Sequence, residues 1–170
     1  MTVIKIAILT ISDKGAAGLR EDLSGPAIKE MLSGLNAEIV ATEIISDERI
    51  LIAERLMHYA DKACCDLVLT TGGTGFSPRD VTPEATLEVI DRLVPGIPEA
   101  MRAKGLAKTP MAMISRAAAG IRGRTLIINL PGSVKAVREN LEVILLVLSH
   151  SIDILRGEGG ECGNQSNSKK

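Results

Sequence analysis

The amino-acid sequence predicts an α/β fold, a three-layer α/β/α sandwich built around a mostly parallel sheet. Apolar runs of strand length alternate with segments of helical hydrophobic spacing from residue 3 to residue 90, as in right-handed βαβ units. The hydrophobic fraction of 45% comes almost wholly from aliphatic side chains, the composition of layered α/β cores. A length of 170 residues fits one domain, expected over 1–156, followed by a disordered tail over 157–170 that lacks aliphatic residues.

Short apolar runs predict the strands. The first run is β-branched and aliphatic apart from Lys5, which is typical of a strand buried on both faces of a parallel sheet. Polar or glycine-rich segments follow each run and predict loops at the carboxyl ends of the strands. The predicted strands are, in order, Val3 to Ile11, Glu38 to Ile45, Leu67 to Thr71 and Thr125 to Leu130.

Helical spacing of apolar residues predicts the helices between these strands. Thr82 and Pro83 are expected as the N-cap and first-turn residues of one helix, and Ser133 as the N-cap of a long last helix. Pro95 and Pro98 are expected to break the chain before a short helix around Glu99 to Lys104. Further helices are expected to begin at Ser24 and after a cap at Ser46 or Asp47.

Charge, aromatic content and cysteine usage exclude several classes of partner. Twenty Lys and Arg against 21 Asp and Glu give a net charge of -1, which provides no field for nucleic acid or anionic membranes. Tyr59 and Phe76 are the only aromatic residues, so a base-stacking surface is almost absent. Cys64, Cys65 and Cys162 suit neither a disulfide framework nor a zinc site. We therefore expect a soluble, cytoplasmic protein that binds neither nucleic acid nor membranes.

The strongest chemical motif is a glycine-rich loop directly after the third strand. It reads Thr71-Gly72-Gly73-Thr74-Gly75. Bare glycines let backbone N–H groups face an anion, and threonine hydroxyls add donors, which together make a phosphate cradle. A tight turn without a ligand explains the glycines about equally well. The loop lacks the Gly-Lys-Ser/Thr end of a P-loop and has proline at position 78, which excludes ordinary NTPase and Rossmann sites.

Charged residues lie around this loop. Arg79 suits phosphate, whereas Asp80 beside a phosphate cradle makes sense chiefly as a ligand for Mg²⁺, since carboxylate and phosphate repel each other. Asp47 follows the second strand, at the same sheet edge as Ser12 and Asp13 after the first. Two carboxylates at one edge could share a metal. Taken singly, Asp47 is more often an N-cap, and Asp80 a cap before the next helix.

A second strand-to-helix turn and two histidines complete the candidates. Pro131-Gly132-Ser133 follows the last predicted strand and is either a further anion or ligand site or a capped turn. His58 and His150 lack a second ligand at metal spacing, which favours structural or surface roles. Arg116 is expected mainly as a solvated charge, although it could reach an anionic ligand.

Several motifs agree in order and spelling with a known family. They are Thr10-Ile11-Ser12-Asp13, Ser46-Asp47-Glu48, Leu69 to Gly75 with Arg79 to Thr86, Ser115-Arg116, and Asn129-Leu130-Pro131-Gly132. On these motifs the chain resembles the molybdopterin adenylyltransferases, bacterial enzymes related to the G domain of gephyrin. The resemblance extends from about Val3 to the last helix. One departure is Ser133, where relatives often have a different residue after the glycine.

The resemblance implies a compact α/β domain of the molybdopterin-binding type, commonly a trimer. Such enzymes bind molybdopterin and Mg-ATP, make adenylyl-molybdopterin and release pyrophosphate. Asp47 and Asp80 match the family's catalytic carboxylates and are the implied Mg²⁺ ligands. The implied ligand-binding residues are Ser12, Asp13, Thr71, Gly72, Gly73, Thr74, Gly75, Arg79, Ser115, Asn129, Pro131, Gly132 and Ser133.

The chemistry that this resemblance implies needs no protein nucleophile. The terminal phosphate of the substrate is itself an anionic nucleophile near neutral pH, with a second pKa of about 6. Two rivals stay open: a paralogue that binds molybdopterin as a carrier or interaction module, and a nucleotide pyrophosphatase or related hydrolase on the same fold. The presence of both carboxylates argues against the first, and the usual extra domain of the hydrolases argues against the second. A molybdenum-insertion enzyme is a further expected partner.

Overall fold

The computed structural model describes residues 2–158, which form a six-stranded sheet with helices on both faces. The strands are β1 (Ile4–Ile11), β2 (Ala37–Ile45), β3 (Leu67–Thr71), β4 (Arg92–Leu93), β5 (Ala119–Arg122) and β6 (Thr125–Leu130). The helices are α1 (Asp13–Ala16), α2 (Ser24–Met31), α3 (Arg49–Met57), α4 (Thr82–Val89), α5 (Gly96–Leu106) and α6 (Val134–Arg156). Short 3₁₀ segments lie at Leu32–Gly34 and Pro110–Ile114, and a π-helical turn at His58–Lys62.

The sheet confirms the predicted α/β class. Its strand order is β2-β1-β3-β6-β5-β4, in which the first four strands run parallel and the last two are antiparallel to their neighbours. Thr71 of β3 pairs with Thr10 of β1 on one side and Leu130 of β6 on the other. The carboxyl ends of three strands therefore lie side by side at one edge.

Two hydrophobic layers hold the sheet between the helices. Alternate residues of β1 point to opposite faces, so Ile6 packs with α2, α5 and α6 while Leu9 packs with α3 and α4. Both side chains are fully buried. Because each buried aliphatic side chain contributes about 1.5–3 kcal/mol, a central strand needs apolar residues on both faces. This requirement explains why the run that predicts β1 is aliphatic at nearly every position.

Some boundary predictions are wrong. β4 and β5 were not expected, and α5 begins at Gly96 with Pro98 in its first turn, where a missing N–H costs nothing. Thr82 is the first residue of α4 and not its cap, because its Oγ1 donates to the carbonyl oxygen of Gly72 at 3.0 Å. Glu48 occupies the N-cap position of α3 and makes no side-chain capping bond.

The structure also bears on the cysteines, on membrane-spanning helices and on the C-terminal tail. Cys64 and Cys65 are free thiols, and Cys162 lies outside the described residues. Within residues 2–158 no helix has the length and apolar character needed to span a bilayer. The tail expected over 157–170 lies outside the described residues, except for Gly157 and Glu158. Gly157 ends α6 in the left-handed conformation, with φ of 77°.

A partly buried ion pair fastens the end of α6 to the sheet. Arg156 donates through Nε to Asp66 Oδ1 at 2.9 Å and through Nη2 to Asp66 Oδ2 at 2.7 Å. Nη2 also donates to the carbonyl oxygen of Val3 at 2.8 Å, and the backbone N–H of Lys5 donates to Asp66 at 2.8 Å. Desolvation raises the pKa of Asp66, but the bonds from Arg156 and Lys5 outweigh it and hold the pKa below its ordinary value.

We expect Asp66→Asn to lower the free energy of unfolding by about 2 kcal/mol near neutral pH, because a charged hydrogen-bond acceptor is lost. A depressed folded-state pKa stabilises the protein above the unfolded pKa of about 3.9, and this contribution disappears as the pH falls through the folded value. Denaturant unfolding at several pH values would show wild type and variant converging in acid. A difference that persists unchanged in acid would contradict this role of Asp66.

Candidate functional site

Two adjoining cavities open at the edge where the parallel strands end. The first cavity, about 530 Å³, is bordered by the ends of β1 and β3 and by the loop before α2. The second cavity, about 900 Å³, is bordered by α5, the Pro110–Ile114 segment and the start of α6. Both cavities share a wall formed by Gly73, Asp80, Gly132 and Ser133.

The glycine loop forms this wall because its backbone is tightly enclosed. Gly72 has φ of 99°, and a methyl group added there would lie 2.3 Å from the carbonyl oxygen of Ile11. Gly73 has φ of 64°, and its methyl group would lie 2.3 Å from Thr82 Oγ1. Gly132 approaches from the other side, where its methyl group would lie 3.3 Å from the Cα of Gly72. The loop geometry itself therefore requires these glycines.

The two predicted catalytic carboxylates lie against this loop. Asp47 and Asp80 both line the first cavity, and Asp80 also lines the second. A methyl group on Gly73 would lie 3.2 Å from Asp47 Oδ1, and one on Gly75 would lie 2.9 Å from Asp80 Oδ2. Neither carboxylate caps a helix: the N-cap positions of α3 and α4 are Glu48 and Val81. The capping interpretations of Asp47 and Asp80 are therefore wrong.

The charge of Asp47 is poorly compensated. Desolvation raises the pKa of Asp47, and the charges of Asp13 and Asp80 raise it further, whereas a backbone hydrogen bond from Asp13 and the charge of Arg79 oppose the shift. Together these effects raise the pKa of Asp47 above its ordinary value. A cation placed between Asp47 and Asp80 would remove this repulsion.

The donor set fits Mg²⁺ that arrives with a nucleotide. Within residues 2–158 no group of three or more His, Cys, Asp and Glu side chains could hold a metal ion alone. Mg²⁺ characteristically takes one or two protein carboxylates together with substrate phosphates and water. Asp47 and Asp80 have the chemistry that the protein part of such a set requires.

Ser12, Asp13 and Arg79 lie around Asp47. Ser12 lines the first cavity and caps α1. Asp13 and Asp47 bind each other reciprocally: the N–H of Asp13 donates to Asp47 Oδ2 at 2.8 Å, and the N–H of Asp47 donates to Asp13 Oδ1 at 3.0 Å. Arg79 donates to Asp13 and Glu48 at 2.7–3.0 Å. Asp13 therefore contacts Asp47 directly, and Arg79 contacts Asp13 in turn.

The second predicted turn is held from both sides. Thr71 Oγ1 donates to the carbonyl oxygen of Pro131 at 2.7 Å, and Ser24 Oγ donates to that of Gly132 at 2.8 Å. Ser133 Oγ accepts from the α6 backbone at 3.3 Å, which confirms the predicted cap. The turn presents the N-terminus of α6 to both cavities, an electropositive feature suited to phosphate.

The remaining predicted residues divide between the cavities and the core. Thr74, Gly75 and Ser115 line the second cavity. Asn129 is fully buried and lines neither cavity. Its Nδ2 donates to Thr70 Oγ1 at 3.0 Å and to Thr86 Oγ1 at 2.8 Å, so the side chain is used to fix β6 beneath the site.

Several residues that line the cavities are not predicted from the sequence. Arg20 and Asp22 line the first cavity from the loop before α2, and Lys108 and Lys135 line the second. The expectation that Arg116 is a solvated charge is wrong, because its Nε donates to the carbonyl oxygen of Gly75 at 2.7 Å. These residues lie in different segments, and no spacing rule connects them to the loop.

Comparison with known proteins assigns the chain to a family. Residues 7–150 match a family model described as a probable molybdopterin binding domain. The chain belongs to this molybdopterin-binding family. The match confirms the resemblance that the sequence motifs indicate.

Relatives of the molybdopterin-binding family cover nearly all of the chain. The molybdopterin adenylyltransferase of Helicobacter pylori is 46% identical over 159 residues, which span 92% of this chain and 90% of that protein. The enzyme of the same name from Escherichia coli is 44% identical over 144 residues, spanning 84% and 74%. The crystal structure of the molybdopterin biosynthesis enzyme MoaB from Thermus thermophilus has a TM-score of 0.88 and 51% identity, covering 94% of this chain and all of that one.

The enclosed position of Gly73 can be tested against an open glycine of similar conformation. Gly123 has φ of 55° with nothing within 4 Å of an added methyl group. We expect Gly123→Ala to destabilise the protein by about 1–2 kcal/mol through backbone strain. Gly73→Ala should cost more, because the methyl group also meets Thr82 Oγ1. Denaturant unfolding measures both losses, and equal losses would contradict the enclosure.

Proposed function

We propose that this protein is a molybdopterin adenylyltransferase, which transfers AMP from Mg-ATP to the terminal phosphate of molybdopterin and releases pyrophosphate. The main support for this proposal is the wall shared by the two cavities. Asp80 lies in this wall, so one carboxylate borders two adjoining binding sites. The names of the relatives at 44–46% identity support the same activity.

The sizes of the cavities support a reaction between two substrates. Volumes of about 530 and 900 Å³ match the range of small-molecule sites, about 300–1,000 Å³. A transfer reaction needs the nucleophile of one substrate close to the reacting atom of the other. The common wall is the place where the phosphates of two separately bound substrates would meet.

The residues around the cavities support a mechanism without a protein nucleophile. Neither lining contains a histidine or cysteine. The terminal phosphate of molybdopterin, with a second pKa of about 6, attacks the α-phosphorus as an anion. A bond from its oxygen to phosphorus forms while the bond to the pyrophosphate oxygen breaks. The protein therefore has to orient two anions and exclude water.

Asp47 and Asp80 would hold Mg²⁺ in this mechanism. The ion supplies charge that screens the two phosphates and stabilises the departing pyrophosphate. Arg20 in the first cavity and Arg102, Lys108 and Lys135 in the second offer further positive charge to the substrates. The glycine loop and the start of α6 add backbone N–H groups at the shared wall.

Asp47→Asn and Asp80→Asn should each reduce adenylylation about 100-fold or more, because the metal loses a charged ligand while the side-chain volume hardly changes. The measurement is formation of adenylylated pterin from molybdopterin, ATP and Mg²⁺. Asp153→Asn, on α6 and outside both linings, is the matched control and should keep wild-type turnover. Near wild-type rates in both site variants would remove the metal role.

The same incubation separates the transferase from a paralogue that only binds molybdopterin. A wild-type protein that binds the pterin in calorimetry but forms no adenylylated product would be a carrier or interaction module. The presence of Asp80 at the shared wall and of Asp47 in the lining of the first cavity favours the transferase. A molybdenum-insertion enzyme is the proposed recipient of the product, and the cytoplasm the proposed location.

We further propose a homotrimer, as the resemblance implies. Apolar side chains exposed on α6 support contacts beyond a single core, since Leu146 and Ile154 are 89% and 51% exposed. Light scattering after chromatography should give a trimer mass at micromolar concentration. Deleting residues 159–170 should leave assembly and turnover intact, because every residue lining the cavities lies between Thr10 and Asn140. A monomer mass for the full chain refutes the trimer, and a monomer only after deletion refutes a passive tail.

A further inference from the structure

One guanidinium group contacts both ends of the loop that carries Asp80. Arg116 Nε donates to the carbonyl oxygen of Gly75 at 2.7 Å, and Nη2 donates to the carbonyl oxygen of Asp80. The backbone N–H of Arg116 donates to the carbonyl oxygen of Thr74 at 2.9 Å. Loop 75–80 is therefore closed by a residue that lies 36 positions further along the chain than Asp80.

The other contacts of the loop are local or exposed. The N–H of Ser77 donates to Asp80 Oδ2 at 2.9 Å, and the N–H of Asp80 donates to the carbonyl oxygen of Ser77 at 2.9 Å. Arg79 pairs with Asp13 and Glu48 through a side chain that is 51% exposed. Exposed pairs of this kind constrain structure weakly. The half-buried Arg116 is the contact that spans the loop from inside.

The position of the Asp80 carboxylate depends on this span. A methyl group on Gly75 would lie 2.9 Å from Asp80 Oδ2, so the carboxylate packs directly against the opposite end of its own loop. Any change in the separation of Gly75 and Asp80 moves the carboxylate relative to both cavities. Catalytic groups need to be held within about 0.5 Å of their working geometry.

Glu84 sets the direction of the guanidinium group. It lies in the first turn of α4, and its Oε1 accepts from Arg116 Nη1. Its Oε2 is buried without a hydrogen-bond partner in the described part of the chain. The Glu84–Arg116 ion pair fixes the guanidinium group in the direction of the two loop carbonyl oxygens.

We propose that Arg116 is the positioning residue that holds Asp80 at the wall between the two cavities, with Glu84 fixing its direction. Arg116 also follows Ser115, which lines the second cavity. Arg116 therefore connects the wall of that cavity to the loop that carries the Asp80 carboxylate. The proposal rests on the proposed function, because the placement of Asp80 matters for adenylyl transfer.

Arg116→Lys tests the proposal, because lysine keeps the charge but cannot reach three acceptors in different directions. Arg122→Lys is the matched control: Arg122 likewise donates to a carboxylate, Asp61, and to a carbonyl oxygen, that of Val89, but none of its hydrogen bonds in the described part of the chain reaches loop 75–80. The measurements are hydrogen exchange of the 75–80 amides, kcat and KM for both substrates, and rescue of Arg116→Ala by millimolar guanidinium ion.

We expect Arg116→Lys to speed exchange in 75–80 and to lower kcat about 100-fold, as a misplacement of about 1 Å does, with KM close to wild type. Arg122→Lys should change neither exchange in 75–80 nor kcat, and guanidinium ion should restore part of the Arg116→Ala turnover. If Arg116→Ala does not fold, Glu84→Gln provides a milder variant that should shift exchange and kcat in the same direction.

Three results would overturn the proposal. They are unchanged exchange in 75–80, faster exchange with unchanged kcat, and a raised KM with unchanged kcat, which would make Arg116 a substrate contact. Failure of the proposed function is distinguishable, since wild-type protein would then form no adenylylated pterin. In that case exchange in 75–80 still decides whether Arg116 holds Asp80.

Discussion

The close approach of Gly72 to the end of β1 determines the layout of the whole site. No side chain fits between Gly72 and the carbonyl oxygen of Ile11, so the loop can pass directly from β3 across the sheet edge to α4. The carbonyl oxygen of Gly72 then accepts from Thr82, and Gly132 closes over the loop from β6. Three segments distant in sequence are thereby brought to one point, and the two cavities lie on either side of it.

The parts of the structure that could be predicted from sequence are those governed by burial. β1, β3 and β6 are covered on both faces, so their apolar runs are continuous and their positions follow directly. β4 has two exposed residues, and β5 contains Gly120, where a methyl group would lie 2.4 Å from Ile90. Neither strand carries the side-chain pattern that identifies strands, because one is solvated and the other is packed too tightly for a side chain.

The candidate site divides in the same way. The proximity of Asp47 and Asp80 could be predicted from the sequence because parallel strands end at one edge of the sheet. The charge of Arg79 predicts a phosphate contact, whereas its contacts with Asp13 and Glu48 have no sequence signal, because these residues come from other segments of the chain. Arg116 is separated in sequence from the loop that it contacts by α4 and α5. Long-range contacts of this kind depend on the path of the connecting chain, which local spacing does not encode.

The ion pair between Arg156 and Asp66 has a topological consequence. Arg156 also donates to the carbonyl oxygens of Thr2 and Val3, so both ends of the described chain meet where β1 begins. The cavities open at the opposite edge, where β1 ends. A short peptide could thus link the two ends and new termini could be opened elsewhere, because such circular permutation is tolerated when termini are adjacent. Thr2 and Arg156 therefore both lie on the side of the sheet away from the two cavities.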